Sequence, residues 1–372
     1  MKITLLSGAY KNAGDFLIVE RSEQLLRYVY PTAEIIKFER RKSLDAELGK
    51  INNSNCLVVA GGPAYVRTVY PDVLPLVSDL NKIKVPIFAL GLGWQGITAG
   101  TDVIYRYRFT QQSIEFLHRL ENDGYSLGCR DLLSQQILRN AGIRNTRMTG
   151  CVAWHNLPYV NQTELRSSKK TVQKICISDP ADIANFDMAY ILVKYLQNRY
   201  PYAKVIFIFH RGTGADLNTG QKEGMLISQL KHKIESLGVL CEDIAYSSNG
   251  FHKYDDCDLH IGFRVHAHIY NLSIRNRSVL IEEDSRGAGV NQALGLPSIL
   301  AYEQRIRYSE NEYANKLIRR VGVRRNRYVI NEVRDCLDNL EATDYMIYPL
   351  AFQRMKYYFG VITEHIRSLD LH

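Results

Sequence analysis

Short apolar runs, each ending in a turn, recur through the first half of this chain. They lie at residues 2–7, 55–60, 85–90 and 125–129. Helical patterns follow the first and the last of them, at about 16–28 and 131–140. Strands that alternate with helices at this spacing predict an α/β fold with a parallel sheet covered by helices on both faces.

A second series of the same kind occupies the second half. Its apolar runs lie at residues 172–178, 204–209, 239–241, 258–263 and 278–282. Between the two series, residues 161–171 are polar and lack apolar periodicity, which indicates a linker. We therefore predict one domain over 1–165 and another over 166–302, two doubly wound units that face each other across a cleft.

From Tyr302 onward the chain is helical in pattern. Met355, Phe359, Ile362 and Ile366 fall on one helical face. We expect residues 303–372 to form a helical tail that packs back on the two domains. A partner helix and a helix lying on a membrane surface are the alternatives.

Charge favours an anionic partner. Lys and Arg number 47 against 39 Asp and Glu, a formal net charge of +8, which suits phosphates, acidic lipids or nucleic acid. The Arg-rich stretch 319–327 lacks interleaved aromatic residues, so we expect no nucleic-acid binding. No apolar run approaches the ~20 residues of a membrane span, and we predict a cytoplasmic protein.

The seven cysteines are scattered along the chain. They are odd in number and include no C-x-x-C pair, which argues against both a disulfide framework and a zinc finger. We expect reduced thiols, mostly buried.

The loops that follow the predicted strands contain the candidate site residues, because ligands of parallel sheets bind at the carboxyl ends of the strands. After the first strand, Gly8, Asn12 and Gly14 could bring backbone N–H groups and a helix N-terminus close to an anion or a sugar. Asp15 is either part of this site or the helix N-cap. Further candidates after the later strands are Gly62, Gly91, Gly93 and Arg130.

The second half places cations after its strands. His210 and Arg211 follow the apolar run 204–209. If residues 260–268 continue as a strand, alternation puts Arg264, His266 and His268 on one face, which favours anion binding. The alternative is a structural role, with buried histidines and a salt-bridged arginine. A zinc site is a weaker alternative.

Three carboxylates and an arginine end the run 278–282. Glu283 and Arg286 are the members of this group that we assign to the site. A carboxylate here could bind sugar hydroxyls, act as a base or hold the neighbouring arginines. A solvated acidic turn is the alternative.

Together these segments resemble the polysaccharide pyruvyl transferase family over about residues 3 to 300. The resemblance depends on Gly8-x3-Asn12-x-Gly14-Asp15, Gly61-Gly62, Gly91-x-Gly93, Arg130-Asp131, Gly150-Cys151 and, most specifically, the run 254–258 followed by Arg264-x-His266. It implies two Rossmann-like domains arranged as in two-domain, GT-B-type glycosyltransferases. It also implies transfer of a pyruvyl group from phosphoenolpyruvate onto two hydroxyls of one sugar, in a cell-surface polysaccharide or its lipid-linked precursor.

On this reading the donor is bound by cations, because phosphoenolpyruvate carries a carboxylate and a phosphate. The donor-binding residues are Arg264, His266, Arg211, His268 and Arg286. We expect His266 or His210 to be the general acid and Asp15 the base. The acceptor-side residues are Gly8, Asn12, Gly14, Asp15, Gly62, Gly91, Gly93, Arg130 and Glu283. Neither metal nor redox cofactor is expected.

The sequence is compatible with more than one acceptor and with more than one class of protein. A lipid-linked acceptor at an acidic inner leaflet suits the positive charge; a soluble acceptor and a homo-oligomer are also compatible with the sequence. The rival enzyme is a GT-B-type glycosyltransferase that uses a sugar nucleotide, with Glu282 or Glu283 on the ribose and Arg264 on the diphosphate. A non-enzymatic anion binder is the third reading.

Overall fold

A computed structural model describes residues 1–167, 171–304, 311, 314, 317 and 323–369. The strands are β1 (Lys2–Ser7), β2 (Glu34–Glu39), β3 (Cys56–Ala60), β4 (Pro63–Tyr65), β5 (Ile87–Leu90), β6 (Gly93–Trp94), β7 (Leu127–Cys129), β8 (Thr146–Met148), β9 (Lys174–Ser178), β10 (Lys204–Phe209), β11 (Leu240–Asp243), β12 (Leu259–Gly262), β13 (Arg277–Glu282), β14 (Ile299–Leu300), β15 (Tyr302–Gln304) and β16 (Val323–Arg325). The α-helices are α1 (Ala13–Val29), α2 (Leu48–Asn52), α3 (Thr101–Arg106), α4 (Gln111–Asn122), α5 (Leu132–Asn140), α6 (Phe186–Arg199), α7 (Gln221–Glu235), α8 (Val265–Ser273), α9 (Ser285–Leu294), α10 (Val329–Ala342) and α11 (Ile347–Arg367).

Two parallel sheets organise the fold. The first has the order β2-β1-β3-β5, and β7 pairs with β8 beside it. The second has six strands in the order β11-β10-β9-β12-β13-β14. All pairings within both sheets are parallel, as the alternation of strands and helices predicts.

The central strands are buried along their whole length. Every residue of β3, β12 and β13 is buried, as expected of strands covered on both faces. The seven cysteines are free thiols, and all but the half-buried Cys241 are buried. The expectation of reduced, mostly buried thiols is therefore confirmed.

The C-terminal region is not helical from its start. β15 pairs antiparallel with β16, and Tyr302 faces Arg325, so the prediction of helix from Tyr302 onward is wrong at this point. The pairing joins segments about twenty residues apart, and helical periodicity read in one window does not reveal such a contact. Much of the Arg-rich stretch 319–327 lies outside the described residues.

Helix α11 packs back on the body of the protein. Its Met355, Ile362 and Ile366 are fully buried, and it contacts α1 and α9. The ring Nε2 of His365 lies 3.0 Å from the carbonyl oxygen of Ala89 in β5. The apolar face that the sequence indicates is thus covered by this chain's own elements. None of the helices described is both long and apolar enough to cross a bilayer.

Tyr348 fastens α11 to the second sheet. Its hydroxyl accepts from the backbone N of Ser278 at 3.1 Å and donates to the carbonyl oxygen of the same residue at 3.0 Å. Because Tyr348 is 1% exposed, Tyr348→Phe leaves buried polar groups unpaired, and we expect a loss of about 1–3 kcal/mol in the free energy of unfolding. Urea unfolding measures it, with Tyr357→Phe on the exposed face of the same helix as control; equal stability of the two variants would contradict the expectation.

Candidate active site

A small cavity lies where loops from both halves of the chain meet. It has a volume of about 30 Å³ and is lined by Asn12, Ala181, His210, Phe263, Arg264, Val265, His266, Glu283, Asp284 and Arg286. We call this cavity and its lining the cleft. The backbone N of Ala13 donates to the carbonyl oxygen of His210 at 3.0 Å, so the N-terminus of α1 touches the loop after β10.

Asp15 lies in the first turn of α1 but is not its N-cap. The cap is Asn12, whose side chain accepts from the backbone N of Gly14 at 3.4 Å. The carboxylate of Asp15 is therefore not occupied in capping. Burial raises its pKa, and the charges of four arginines oppose that rise; these are Arg40, Arg41, Arg286 and Arg211.

Gly14 at the start of α1 is in direct contact with His266, which lines the cleft. A Cβ atom on Gly14 would lie 2.2 Å from Nδ1 of His266, so only glycine lets the start of α1 approach this imidazole. Burial, together with the cations Arg130, Arg286 and Arg264, lowers the pKa of His266 to about 3. In the ligand-free protein His266 is thus a neutral imidazole at pH 7.

The strand prediction for residues 260–268 is wrong beyond Gly262. β12 ends there and α8 begins at Val265, and residues two apart on a helix point in different directions. His266 lines the cleft, whereas Nδ1 of His268 lies 2.7 Å from the hydroxyl of Ser278 and the residue is 1% exposed. The structure does not bring His268 to the cleft. A short run rich in apolar residues fits a strand or a buried helix equally well, which explains the error.

Arg264 is held by a carboxylate that sequence reasoning missed. Its Nε and Nη2 donate to Asp179 at 2.8 and 2.6 Å, and both residues are buried. Asp179 also accepts from the backbone N of His210 at 3.1 Å. Asp179 directly follows β9, and this position was the signal available in the sequence.

His210 lines the cleft, and Arg211 lies beside it. Nε2 of His210 is 2.8 Å from the hydroxyl of Tyr254, and burial lowers its pKa well below the usual range. Arg211 is exposed and lines an adjoining cavity that Arg264 also lines. Both residues follow β10, as predicted.

Glu283 and Arg286 belong to the cleft, and each has a local partner. The carboxylate of Glu283 accepts from the backbone N of Ala181 at 2.7 Å and of Asp182 at 3.1 Å, and burial raises its pKa to about 7. It therefore holds the loop after β9. Nη2 of Arg286 lies 2.7 Å from Asp284, which caps α9. The carboxylates of Glu282, Glu283 and Asp284 therefore do not form a solvated acidic turn.

Arg130 and the glycines after β5 lie outside the residues that line the cleft. Nε of Arg130 donates to Asp131, the N-cap of α5, at 3.0 Å. A Cβ on Gly93 would lie 2.2 Å from Cζ of Arg130. Gly91 has a φ of +64°, and a Cβ there would lie 2.9 Å from the carbonyl oxygen of Gly150. These glycines permit close packing, and Arg130 acts on His266 through its charge.

Gly8 and Gly62 enclose an arginine that sequence reasoning also missed. A Cβ on Gly8 would lie 2.6 Å from Nε of Arg40, and one on Gly62 would lie 3.3 Å from its Nη1. Arg40 is buried and directly follows β2. The signal was an Arg-Arg pair just after a strand.

The cleft therefore joins two neutral imidazoles, His210 and His266, and two arginines held by carboxylates, Arg264 and Arg286. Asp15 lies beside it, close enough for its charge to interact with that of Arg286. Within the described ranges, no group of three His, Cys, Asp or Glu side chains is arranged to hold a metal ion.

The chain matches a family model and several solved structures. The model of the polysaccharide pyruvyl transferase family matches residues 12–270. The S. aureus MnaA–UDP co-structure has a TM-score of 0.54 at 12% identity and covers 100% of this chain and 97% of that chain. The structure of a putative UDP-N-acetylglucosamine 2-epimerase from Listeria monocytogenes has a TM-score of 0.52 at 12% identity. The match covers 93% of this chain and 90% of that chain. No curated protein sequence matches the chain.

These similarities establish the fold and the family. The two structures share the GT-B-type arrangement, so the prediction of Rossmann-like domains that face a cleft is confirmed. Because the family model spans more than half of the sequence and contains most of the residues of the cleft, this chain belongs to the polysaccharide pyruvyl transferase family.

Proposed function

We propose that this protein transfers the pyruvyl group of phosphoenolpyruvate onto two hydroxyls of one saccharide, forming a cyclic ketal and releasing phosphate. The observation that carries the proposal is that His266, Arg264 and Arg286 line one cleft formed by both halves of the chain, and that Asp15 lies beside it, within electrostatic reach of Arg286. An acid, a base and fixed cations are what this reaction requires.

The donor would bind at the arginine side of the cleft. Phosphoenolpyruvate carries two anionic groups on three carbons, and charge-assisted hydrogen bonds contribute about 1.5–3 kcal/mol each. Arg264 and Arg286 present guanidinium groups whose orientation Asp179 and Asp284 already fix. A cavity of about 30 Å³ holds little more than a water molecule, so the cleft must widen to admit the donor.

The reaction proceeds by proton transfer and by formation and cleavage of C–O bonds. The acid protonates the methylene carbon, which becomes the methyl group, and leaves an oxocarbenium-like centre at C2. The first sugar hydroxyl adds to C2 and gives its proton to the base. The C2–O bond to phosphate then breaks, and the second hydroxyl adds as its proton leaves. Of the two hydroxyl protons, one leaves with the phosphate and the other replaces the proton that the acid gave to the methylene carbon, so the step balances without an electron donor or acceptor.

His266 is the better candidate for the acid. No hydrogen bond to a described residue occupies its ring nitrogens, whereas Nε2 of His210 already bonds to Tyr254. Raising the pKa of His266 from about 3 to about 7 requires roughly 5 kcal/mol in favour of the cation. Two or three charge-assisted contacts with a bound polyanion supply that amount.

We expect His266 to change its protonation state when the donor binds. The anion of the donor favours the imidazolium, so the ring should be neutral in free protein at pH 7 and cationic in the complex. Nitrogen-15 spectra of the histidine side chains, with His266→Gln for assignment, measure this directly. Since binding takes up a proton at His266, donor affinity should fall as the pH rises through the raised pKa. A ring that stays neutral in the complex would remove His266 from the role of acid.

The acceptor is a saccharide, and we place it in the cytoplasm. A sugar of a cell-surface polysaccharide or its lipid-linked precursor fits the family, and the net charge of +8 suits an acidic inner leaflet. Asp15, at the N-terminus of α1, is the base at the attacking hydroxyl.

Calorimetric titration tests the donor. Wild-type protein and the control Arg334→Ala, which removes an exposed charge on α10, should bind phosphoenolpyruvate saturably. A panel of sugar nucleotides is titrated in parallel. If a sugar nucleotide binds and phosphoenolpyruvate does not, the protein is a glycosyltransferase rather than a pyruvyl transferase. If neither binds, a non-enzymatic role is favoured.

A further inference from the structure

Arg40 is a buried cation that the reaction scheme does not use. It is 6% exposed and enters the fold directly after β2. The loops after β1 and β3 close around its guanidinium group, and a side chain at Gly8 or Gly62 would collide with it or press on it. Gly62 also has a φ of +72°, a conformation that favours glycine. The backbone on both sides is thus shaped around this group.

The guanidinium of Arg40 is left largely unpartnered. Nη1 donates to the carbonyl oxygen of Gly61 at 3.1 Å, and the buried Nε has no hydrogen-bond partner. Among the described residues, no carboxylate lies within ion-pair distance of Arg40. Arg264, Arg286 and Arg130, in contrast, each pair with a carboxylate. A buried, unpaired cation is costly, which indicates that an anion completes this position.

Further positive charge surrounds the same point. Arg41 is exposed, and its guanidinium carbon lies 4.8 Å from the ring centroid of Tyr10. Arg40, Arg41 and Arg211 all act on the charge of Asp15, and no ion pair with a described carboxylate neutralises any of the three. The half of the cleft around Asp15 therefore has an excess of positive charge in the ligand-free protein.

We propose that Arg40, with Arg41 beside it, forms a phosphate-binding site on the N-terminal side of the cleft. The planar guanidinium presents paired N–H donors that match two oxygens of a phosphate. The phosphate would belong either to the donor or to an acceptor saccharide that carries one. The identity of these substrates rests on the proposed function, but the presence of the site does not.

Inorganic phosphate is the probe for the site itself. We expect saturable binding to the wild-type protein by calorimetry, at least tenfold weaker binding to Arg40→Gln, and no change in the control Arg334→Gln. Gly8→Ala keeps the charge but places a methyl group 2.6 Å from Nε of Arg40, so it should also weaken binding. Thermal melts show whether both variants fold. If Arg40→Gln does not fold, the phosphate affinity of Gly8→Ala tests the proposal instead. Equal phosphate affinity of wild type and folded variants would overturn the proposal, as would no phosphate binding by the wild type.

The source of the phosphate follows from the same titration in saturating phosphoenolpyruvate. If the donor displaces phosphate and Arg40→Gln also weakens donor binding, the site holds the phosphate of the donor. If phosphate still binds, the site serves an acceptor phosphate. Phosphate binding that depends on Arg40, in a protein that does not bind phosphoenolpyruvate, would refute the proposed function and leave this site standing.

Discussion

Asp15→Asn is expected to lower turnover by about 10²- to 10⁴-fold, the usual contribution of a general base, while phosphoenolpyruvate still binds. Asparagine keeps the shape of the side chain but cannot accept the hydroxyl proton. The carboxylate stands in the first turn of α1 without a capping task, because Asn12 caps the helix. Phosphate release in the presence of an acceptor that supports wild-type turnover measures the effect. Asp187→Asn, an exposed carboxylate at the start of α6, is the control.

The pH dependence of activity provides a second test of Asp15 as the base. Burial raises the pKa of Asp15, and a base works only in its deprotonated form. With phosphoenolpyruvate saturating, so that the loss of donor affinity at higher pH does not enter, wild-type kcat/KM for the acceptor should therefore rise with pH through this raised pKa, and the rise should be missing from Asp15→Asn. Wild-type rates that are retained in the variant would show that Asp15 is not the base.

Asp15→Asn should lower activity without lowering the free energy of unfolding. A carboxyl whose pKa is raised by folding stabilises the protein below its unfolded pKa, and this contribution is lost as the pH rises through the folded pKa. Above its unfolded pKa, Asp15 is therefore unfavourable for folding, and at pH 7 Asp15→Asn should be at least as stable as the wild type. Lost activity in a variant of equal or greater stability cannot be explained by unfolding.

The sequence predicts the sheets better than the contacts between loops. Apolar runs that alternate with helical patterns carry local information, and they locate β1, β3, β5, β9, β10, β12 and β13 to within a few residues, whereas β2 of the first sheet was not predicted. Asp179 and Arg40 were missed because their importance comes from partners in distant loops, Arg264 after β12 in one case and Gly8 and Gly62 in the other. No local pattern contains such a pairing.

The placement of the two histidines shows the same limit of sequence-based prediction over a few residues. His266 and His268 were expected on one face, and the real boundary between β12 and α8 sends one to the cleft and the other to Ser278. An error of a few residues in secondary structure thus moves a side chain from site to core. The contact of Gly14 with His266, which brings the start of α1 against this imidazole, could not be read from either residue alone.

Arg264→Ala should have the largest effect on both stability and donor binding. It leaves the buried carboxylate of Asp179 without its bidentate partner, and breaking a buried ion pair costs about 3–5 kcal/mol. It also removes a guanidinium that lines the cleft, so phosphoenolpyruvate binding should be lost. Urea unfolding and calorimetry measure the two effects, with Arg334→Ala as the control for loss of an exposed arginine.

The double variant Arg264→Ala with Asp179→Asn separates the two roles. Neutralising Asp179 removes the unpaired buried charge, so most of the lost stability should return, because removing one partner of a buried pair costs more than removing the charge of both. Donor binding should not return, because no cation replaces the guanidinium. If the double variant regains both, Arg264 serves only to hold the loop after β9, and the donor must be bound by Arg286 and His266 without it.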